Sequence, residues 1–359
     1  MMNNWKKNKL GEVVSWGNGK ERPKDKGPIP VYGGNGVLDY TNQNNYEGET
    51  VIVGRVGAYC GSVYYTNESI WVSDNALAAK PKNGNDTKFL YYFLQYLNLN
   101  SYAEGSTHPL VTQGLLNSID VVIPPLDEQK RIAGVLSSLD DKIDLLNREN
   151  ATLEALAETL FRHYFIENPN PTWKEGKLGE VCYYVTDKID AAGLDRHSYI
   201  STENMLNEKK GVTDASSIPD NIRVTKYVVG DVLVSNIRPY FKKIWFADRN
   251  GGCSNDVLCI RAVNKEIESF VYYTLRQDDF FDYVMLGSKG CKMPRGDKQH
   301  IMNWQISVPD KGALTIFNEQ VSTSIKKIKL NQQQIQILST QRDTLLPCLM
   351  SGEVKVGGQ

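Results

Sequence analysis

The sequence predicts an α+β protein: two similar globular domains with irregular mixed sheets, separated by two long helices that pair as an antiparallel coiled coil with approximate two-fold symmetry. Three observations predict it. One block pattern occurs twice along the 359 residues. Each copy opens with short β-branched and aromatic runs bounded by Gly and Asn. Each copy closes on an apolar heptad.

The repeat comes first. Trp5-Lys6-Lys7-Asn8-Lys9-Leu10-Gly11-Glu12-Val13 returns as Trp173-Lys174-Glu175-Gly176-Lys177-Leu178-Gly179-Glu180-Val181. Gly48-Glu49-Thr50-Val51-Ile52-Val53 returns as Gly230-Asp231-Val232-Leu233-Val234-Ser235, and Ser73-Asp74-Asn75-Ala76-Leu77 as Ser254-Asn255-Asp256-Val257-Leu258. Phe89-Leu90-Tyr91-Tyr92 matches Phe270-Val271-Tyr272-Tyr273, and Asp120-Val121-Val122-Ile123-Pro124 matches Gln305-Ile306-Ser307-Val308-Pro309. Order is kept throughout, and the offset grows from 168 to 185 as loop insertions would make it. The segments 14–47 and 182–227 do not match. The expected domains are 1–125 and 171–313, with helical regions at 126–170 and 314–352.

Within the copies, Val51-Ile52-Val53, Ser62-Val63-Tyr64-Tyr65, Val232-Leu233-Val234 and Val257-Leu258-Cys259-Ile260 read as strands. Phe89–Leu99 and Glu266–Arg276 read as short helices. Turn clusters such as Gly33-Gly34-Asn35-Gly36 and Asn250-Gly251-Gly252 separate the strands.

The first long helix carries Ile132, Leu136, Leu139, Ile143, Leu146, Asn150, Leu153, Ala157, Leu160 and Tyr164 at alternating steps of four and three. Pro124-Pro125 precedes it and Asn168-Pro169-Asn170-Pro171 stops it. The second carries Val321, Ile325, Ile328, Gln332 and Ile335 in the same phase, then shifts to Leu338, Arg342 and Leu345 before Pro347. Asn150 and Gln332 are polar seam residues of the kind that fix register. Residues 126–172 hold five Lys+Arg against nine Asp+Glu, and 311–359 hold six against three, so the helices carry opposite charge. From Ile132 to Tyr164 the helix spans about 50 Å at 1.5 Å per residue. Two similar domains at a fixed distance suit a split target on a two-fold object such as duplex DNA.

Composition excludes several classes. Hydrophobic residues are 41% and charged residues 23%, ordinary for a folded globular chain. No apolar run approaches a membrane span. Met1–Lys9 is polar and basic with no apolar stretch behind it, so no secretory signal is expected and the cytoplasm is the expected compartment. The six Cys show no C-x-x-C pair and the four His no zinc spacing, so we expect reduced thiols and no metal. There is no G-x-x-x-x-G-K-[ST], G-x-S-x-G or H-E-x-x-H motif, and Asn168–Pro171 is a helix breaker rather than a methyltransferase motif. No catalytic residue is expected.

The candidate binding residues are diffuse. Lys20, Arg22, Lys24 and Lys26 lie in a Gly/Pro loop, and Arg55 and Tyr59 flank a Gly-rich turn. In the second copy Arg238-Pro239-Tyr240-Phe241-Lys242-Lys243 interleaves basic and aromatic residues, and Lys289, Lys292, Arg295 and Lys298 form a basic loop. Thr107, His108, Lys188 and Arg196 complete the candidate DNA-contact set; His108 and His300 read as structural rather than catalytic. Arg and Lys neutralise phosphates or read guanine edges. Both globular domains balance at zero charge, 11 against 11 over 1–125 and 19 against 19 over 173–310. That argues against strong DNA affinity without a basic partner.

These residues resemble the specificity subunit of type I restriction-modification systems. The resemblance rests on the two Trp…Lys-Leu-Gly-Glu-Val blocks and on Gly-Glu-Thr-Val-Ile-Val-Gly-Arg-Val-Gly at 48–57. It is clearest in Gly105-Ser106-Thr107-His108-Pro109-Leu110 followed by Val121-Val122-Ile123-Pro124-Pro125-Leu126-Asp127-Glu128-Gln129-Lys130-Arg131-Ile132-Ala133. The second copy keeps only Gly290-Cys291-Lys292-Met293-Pro294-Arg295 and Val308-Pro309, with Glu319-Gln320 ten residues later. The resemblance implies two target-recognition domains, each reading half of a bipartite DNA sequence, with helices that set the unread gap. It implies docking of two methyltransferase subunits and, in a full complex, two restriction subunits. No cofactor belongs to the chain; S-adenosylmethionine belongs to the methyltransferase. Two other classes compete. A single-chain endonuclease or methylase would alter DNA alone with magnesium or methyl donor. A coiled-coil adaptor would show no sequence preference even with partners present.

Overall fold

The computed structural model describes residues 4–105, 109–220, 222–290 and 292–357. The chain divides into two compact units, residues 1–147 with 333–359, and residues 148–332. The division passes through both long helices, Leu126–Arg162 and Lys311–Met350, so each unit holds one globular region and a stretch of each helix.

The sequence repeat is a structural repeat. Strand Lys6–Lys9 pairs antiparallel with Asp120–Ile123, and Lys174–Lys177 pairs the same way with Gln305–Val308. A one-turn helix follows each, Leu10–Val13 and Leu178–Val181, with Leu10 and Leu178 fully buried. The repeated Glu closes that turn. Glu12 Oε2 accepts from the Lys9 backbone N–H at 2.8 Å, and Glu180 Oε1 accepts from that of Lys177 at 3.0 Å. Each donor is one that a helix start otherwise leaves unpaired.

Each unit has an antiparallel four-stranded sheet of the same order. In the first it runs Val14–Asn18, Ala76–Pro81, Thr50–Gly54, Val63–Thr66. In the second it runs Cys182–Tyr184, Val257–Ala262, Val232–Ser235, Ile244–Phe246. The central strands are uninterrupted apolar runs because both faces are covered. Val51 and Val53 join the cluster with Leu10, Phe89 and Phe93, whereas Ile52 packs with Ile70 and Val72. Val232 and Val234 face Phe270 and Tyr273, while Leu233 packs with Tyr227 and Trp245. This is the two-residue alternation of a strand, and it fixes register, since a one-residue slip would exchange the two faces.

The second sheets differ between copies. The first unit has three strands, ordered Gly36–Thr41, Ile29–Gly33, Trp71–Val72. The second has four, ordered Lys188–Asp190, Arg223–Tyr227, Gly251–Cys253, Tyr199–Ile200. Each includes one parallel pair, so the sheets are mixed as expected. Much of their chain comes from the two segments that do not match in sequence.

The start of each long helix is tied to the opening strand of its own unit. Trp5 Nε1 donates to Glu128 Oε2 at 3.2 Å, and Trp173 Nε1 donates to Asp310 Oδ2 at 2.9 Å. Asp310 is therefore the counterpart of Glu128. Its Oδ1 also caps the second helix by accepting from the Ala313 N–H at 2.9 Å. Glu319-Gln320 is not the counterpart of Glu128-Gln129, and lies nearly three turns inside the helix. Gln129 is 1% exposed. Its Oε1 accepts from the Asp86 N–H, and its Nε2 donates to Asn85 Oδ1 and the Pro124 carbonyl.

Within the first unit, Ile132, Leu136, Leu349 and Met350 share one core. Arg342 Nη1 donates to Asp140 Oδ1 at 2.8 Å, and Tyr92 OH donates to Asp140 Oδ2 at 2.6 Å. Burial, with Asp140 beside it, pushes the Tyr92 hydroxyl far above its ordinary range. Leu146 is buried, and Leu139, Ile143 and Ile335 are half-buried.

Within the second unit, Asn150, Leu153 and Leu160 are half-buried and Ala157 is buried, as are Val321 and Ile328, with Ile325 partly covered. Here the seam departs from expectation. Gln332 is exposed. Asn331 is 1% exposed and Ser324 is 7% exposed. The seam of the second helix runs 321, 324, 328, 331, then 335, 338, 342, 345 and 349, with unbroken three-and-four stepping. The apparent phase shift arose because Ser and Asn occupy seam positions that apolar periodicity does not mark. The C-terminal part of the first helix is anchored by Phe161 and Phe165 against Phe270 and Phe317. Beside them Arg276 lies 3.6 Å from Glu154 and 3.5 Å from Glu158. Burial raises the Glu154 carboxyl, and Arg276 opposes that shift.

Candidate nucleic-acid interface

Each central strand ends in a loop held by the same backbone bonds. After Thr50–Gly54, the Arg55 N–H donates to the Asn75 carbonyl at 2.9 Å, Val56 bridges to Leu110, and the Gly57 N–H donates to the Pro109 carbonyl at 3.0 Å. A 3-10 turn, Gly57–Tyr59, follows. It folds so closely over the strand that a Cβ on Gly54 would lie 2.3 Å from the Tyr59 carbonyl oxygen. After Val232–Ser235, the Asn236 N–H donates to the Asp256 carbonyl at 2.8 Å, Ile237 bridges to Arg295, and the Arg238 N–H donates to the Pro294 carbonyl at 2.8 Å. Here too a 3-10 turn follows, Pro239–Phe241.

In the second unit this arrangement gathers candidates that are far apart in sequence. Arg238 is exposed, beside Arg295, which pairs with Asp256 at 3.2 Å. Lys289 bridges Arg295 through backbone bonds and pairs with Asp297 at 2.9 Å. Lys188 Nζ donates to Asn255 Oδ1 at 3.0 Å on the same loop. Lys298 lies 5.5 Å from the Tyr184 ring centroid, and both line a cleft of about 310 Å³ with Lys188 and Asn255. Lys292 is exposed.

Lys242 and Lys243 are engaged elsewhere. Lys242 pairs with Asp278 at 2.9 Å, and Lys243 Nζ donates to the Thr202 carbonyl at 2.6 Å. The Asp278 carboxyl is held low first by Lys209 and then by Lys242. The segment is not a strand with alternating faces. Arg238 and Lys242 both have left-handed backbone, with φ near +50°, around the 3-10 turn. Tyr240 is 45% exposed, and its ring lies 4.6 Å from that of half-buried Phe241. Arg196 is exposed, with its carbonyl tied to the Ala215 N–H, and makes none of these contacts among the described residues.

In the first unit, Arg22 and Lys26 both bond Asp39. The Lys26 ammonium, the Tyr40 N–H and Arg22 together hold the Asp39 carboxyl down to about 2. Lys20 and Lys24 are exposed. Tyr59 is 51% exposed. Arg55 is half-buried, and its Nε is shielded from solvent with no partner among the described residues. Thr107 and His108 lie outside the described residues.

Sequence reasoning missed Asn236. It is the counterpart of Arg55 by every backbone bond above, and its Oδ1 is likewise shielded and unpartnered among the described residues. The sequence blocks align Val53 with Ser235, an offset of 182 that sets Arg55 against Ile237, whereas the backbone bonds set the offset here at 181 and Arg55 against Asn236. No group of three or more His, Cys, Asp or Glu side chains among the described residues is arranged to hold a metal. No helix among the described residues is long and apolar enough to cross a membrane.

Fold and loops together define a protein of two repeated α+β domains with long helices, each domain presenting a loop at the end of a central strand. Residues 2–155 match the model of the type I restriction modification DNA specificity domain, and the chain is similar in sequence to type I restriction enzyme specificity subunits. It is 27% identical over 180 residues to the type I restriction enzyme EcoprrI specificity subunit of Escherichia coli. That match takes in 50% of this chain and 41% of the relative. It is 26% identical over 316 residues to the MjaIX specificity subunit of Methanocaldococcus jannaschii, taking in 77% of this chain and 71% of that one. In fold it resembles the crystal structure of a type I restriction-modification S subunit from M. genitalium, with a TM-score of 0.61, 17% identity and 96% of each chain covered.

Proposed function

We propose that this chain is the DNA sequence-recognition subunit of a type I restriction-modification complex. One observation carries the proposal: the same sheet-and-loop frame occurs twice, with different side chains on the two loops. Each globular domain reads one half of a bipartite target. The first is placed at 1–125 and the second at 171–313, with the helical regions 126–170 and 314–352 setting the unread gap and docking two methyltransferase subunits. The chain contributes recognition and no catalytic group; S-adenosylmethionine and the methyl transfer belong to the partner. Two restriction subunits complete the full assembly, which works in the cytoplasm. Arg238, Lys289, Lys292, Arg295 and Lys188 are the proposed contacts of the second domain, and Lys20, Lys24, Arg55 and Tyr59 those of the first. Exposed cations position a protein on phosphates, while base edges carry the sequence information.

The test is methylome sequencing of a host carrying this chain with its partner methyltransferase, before and after residues 1–125 are exchanged for those of another family member. The expected result is a bipartite methylated motif in which one half changes and the other stays. A motif altered in both halves, or the absence of any bipartite motif, overturns the proposal. DNA altered by the chain alone would instead support a single-chain enzyme, and binding without sequence preference an adaptor.

A further inference from the structure

Arg55 and Asn236 hold the same position in the two frames. Each is the first residue beyond the central strand, each is fixed by the same three backbone bonds, and each precedes a 3-10 turn. Four residues on, the same offset of 181 aligns Tyr59 with Tyr240, and both rings are about half exposed, at 51% and 45%. The frame is duplicated while the side chain at its first position differs.

Those two side chains share a second property. Arg55 Nε and Asn236 Oδ1 are shielded from water without a hydrogen-bond partner among the described residues. Buried polar atoms in native proteins are nearly always paired, and each exception calls for an explanation. The space around Asn236 is built in: a Cβ on Gly296 would lie 2.9 Å from its Oδ1. No hydrogen bond among the described residues holds either side-chain head.

Building on the bipartite-reader proposal above, we infer that Arg55 and Asn236 are the specificity-determining residues of the two loops, Arg55 reading a guanine edge in one half-site and Asn236 an adenine edge in the other. Two forked donors of a guanidinium match guanine O6 and N7, and an amide matches the N6 donor and N7 acceptor of adenine. Tyr59 and Tyr240 provide flat contacts that tolerate any base.

The experiment uses the full chain assembled with its methyltransferase, with single-molecule methylome sequencing as the readout. Arg55→Ala relaxes one position of one half-site, with discrimination there falling roughly tenfold, and leaves the other half unchanged. Asn236→Ala does the same in the opposite half. Arg55→Gln moves the preference at its position from guanine toward adenine. Thermal melting and assembly of each variant are measured alongside. An unchanged motif in both Ala variants overturns the inference. So does a uniform loss of methylation at all sites by Ala and Gln variants that melt and assemble normally, which marks a phosphate contact. Failure of the underlying proposal is distinguishable, because the wild-type complex would then methylate no bipartite motif.

Discussion

Asn331 of the second long helix donates through Nδ2 to Asn150 Oδ1 of the first at 2.9 Å, and to Glu149 Oε2 at 2.8 Å. The Asn331 side chain is almost fully buried, and Lys327 adds an ion pair to Glu149 at 3.6 Å. A buried amide bonded across an apolar seam penalises every alternative register, because a shift strands it without partners.

Replacing Asn331 with Ala is expected to cost about 1–3 kcal/mol, since two acceptors lose their donor. Gln332→Ala is expected to stay within about 0.5 kcal/mol, as for an exposed site. Thermal melts of the two variants against wild type check this. A larger loss at Gln332 would return the seam to the register that apolar periodicity suggests.

Arg238 and Lys242 separate free from committed charge. Arg238→Ala in the assembled methyltransferase is expected to weaken binding to cognate and scrambled duplexes alike, and to flatten the salt dependence by about one unit of slope. Lys242→Ala leaves that slope unchanged, because its ammonium is paired with Asp278 and its side chain is only 26% exposed, whereas the paired Lys289 and Arg295 stay open to solvent. Affinities at two salt concentrations decide it, and equal slopes for wild type and Arg238→Ala would remove this residue from the DNA contact.

The gap prediction uses the helices. One heptad inserted between Asn147 and Arg148, with a matching heptad between Gln332 and Gln333, preserves the seam phase and the hydrogen bonds within each unit. It adds roughly 10 Å of helix, equivalent to about three base pairs. The unread gap in the methylated motif is expected to lengthen while both half-sites persist. A normal methylation level with an unchanged gap would show that the helices do not set it.

Asp39 gives a pH signature. Its carboxyl is held down to about 2 by the Lys26 hydrogen bond first, then by the Tyr40 N–H and Arg22, against an ordinary 3.8. A depressed carboxyl stabilises the fold above its unfolded value, and that contribution is lost as pH falls through the folded one. The difference in urea midpoint between wild type and Asp39→Asn is therefore expected to be constant above pH 4 and to close as pH falls toward 2. A difference that widens below pH 4 would contradict the assigned contacts.

The repeat, the α+β class and the long helices were legible in the sequence, because each rests on local periodicity. The helices follow from heptads that burial must satisfy, whereas strand pairs such as Lys6–Lys9 with Asp120–Ile123 join segments that the duplicated blocks mark but do not pair. Tertiary structure alone decided which polar residues enter the seam, since the burial of Ser324 and Asn331 depends on the facing helix and no apolar pattern marks them. It alone separated Arg238 from Lys242 and Lys243, which look alike in a basic run until Asp278 and the Thr202 carbonyl are brought beside the latter two. It also aligned Arg55 with Asn236. Position in a frame is set by backbone hydrogen bonds, and those are indifferent to the side chain that the position carries.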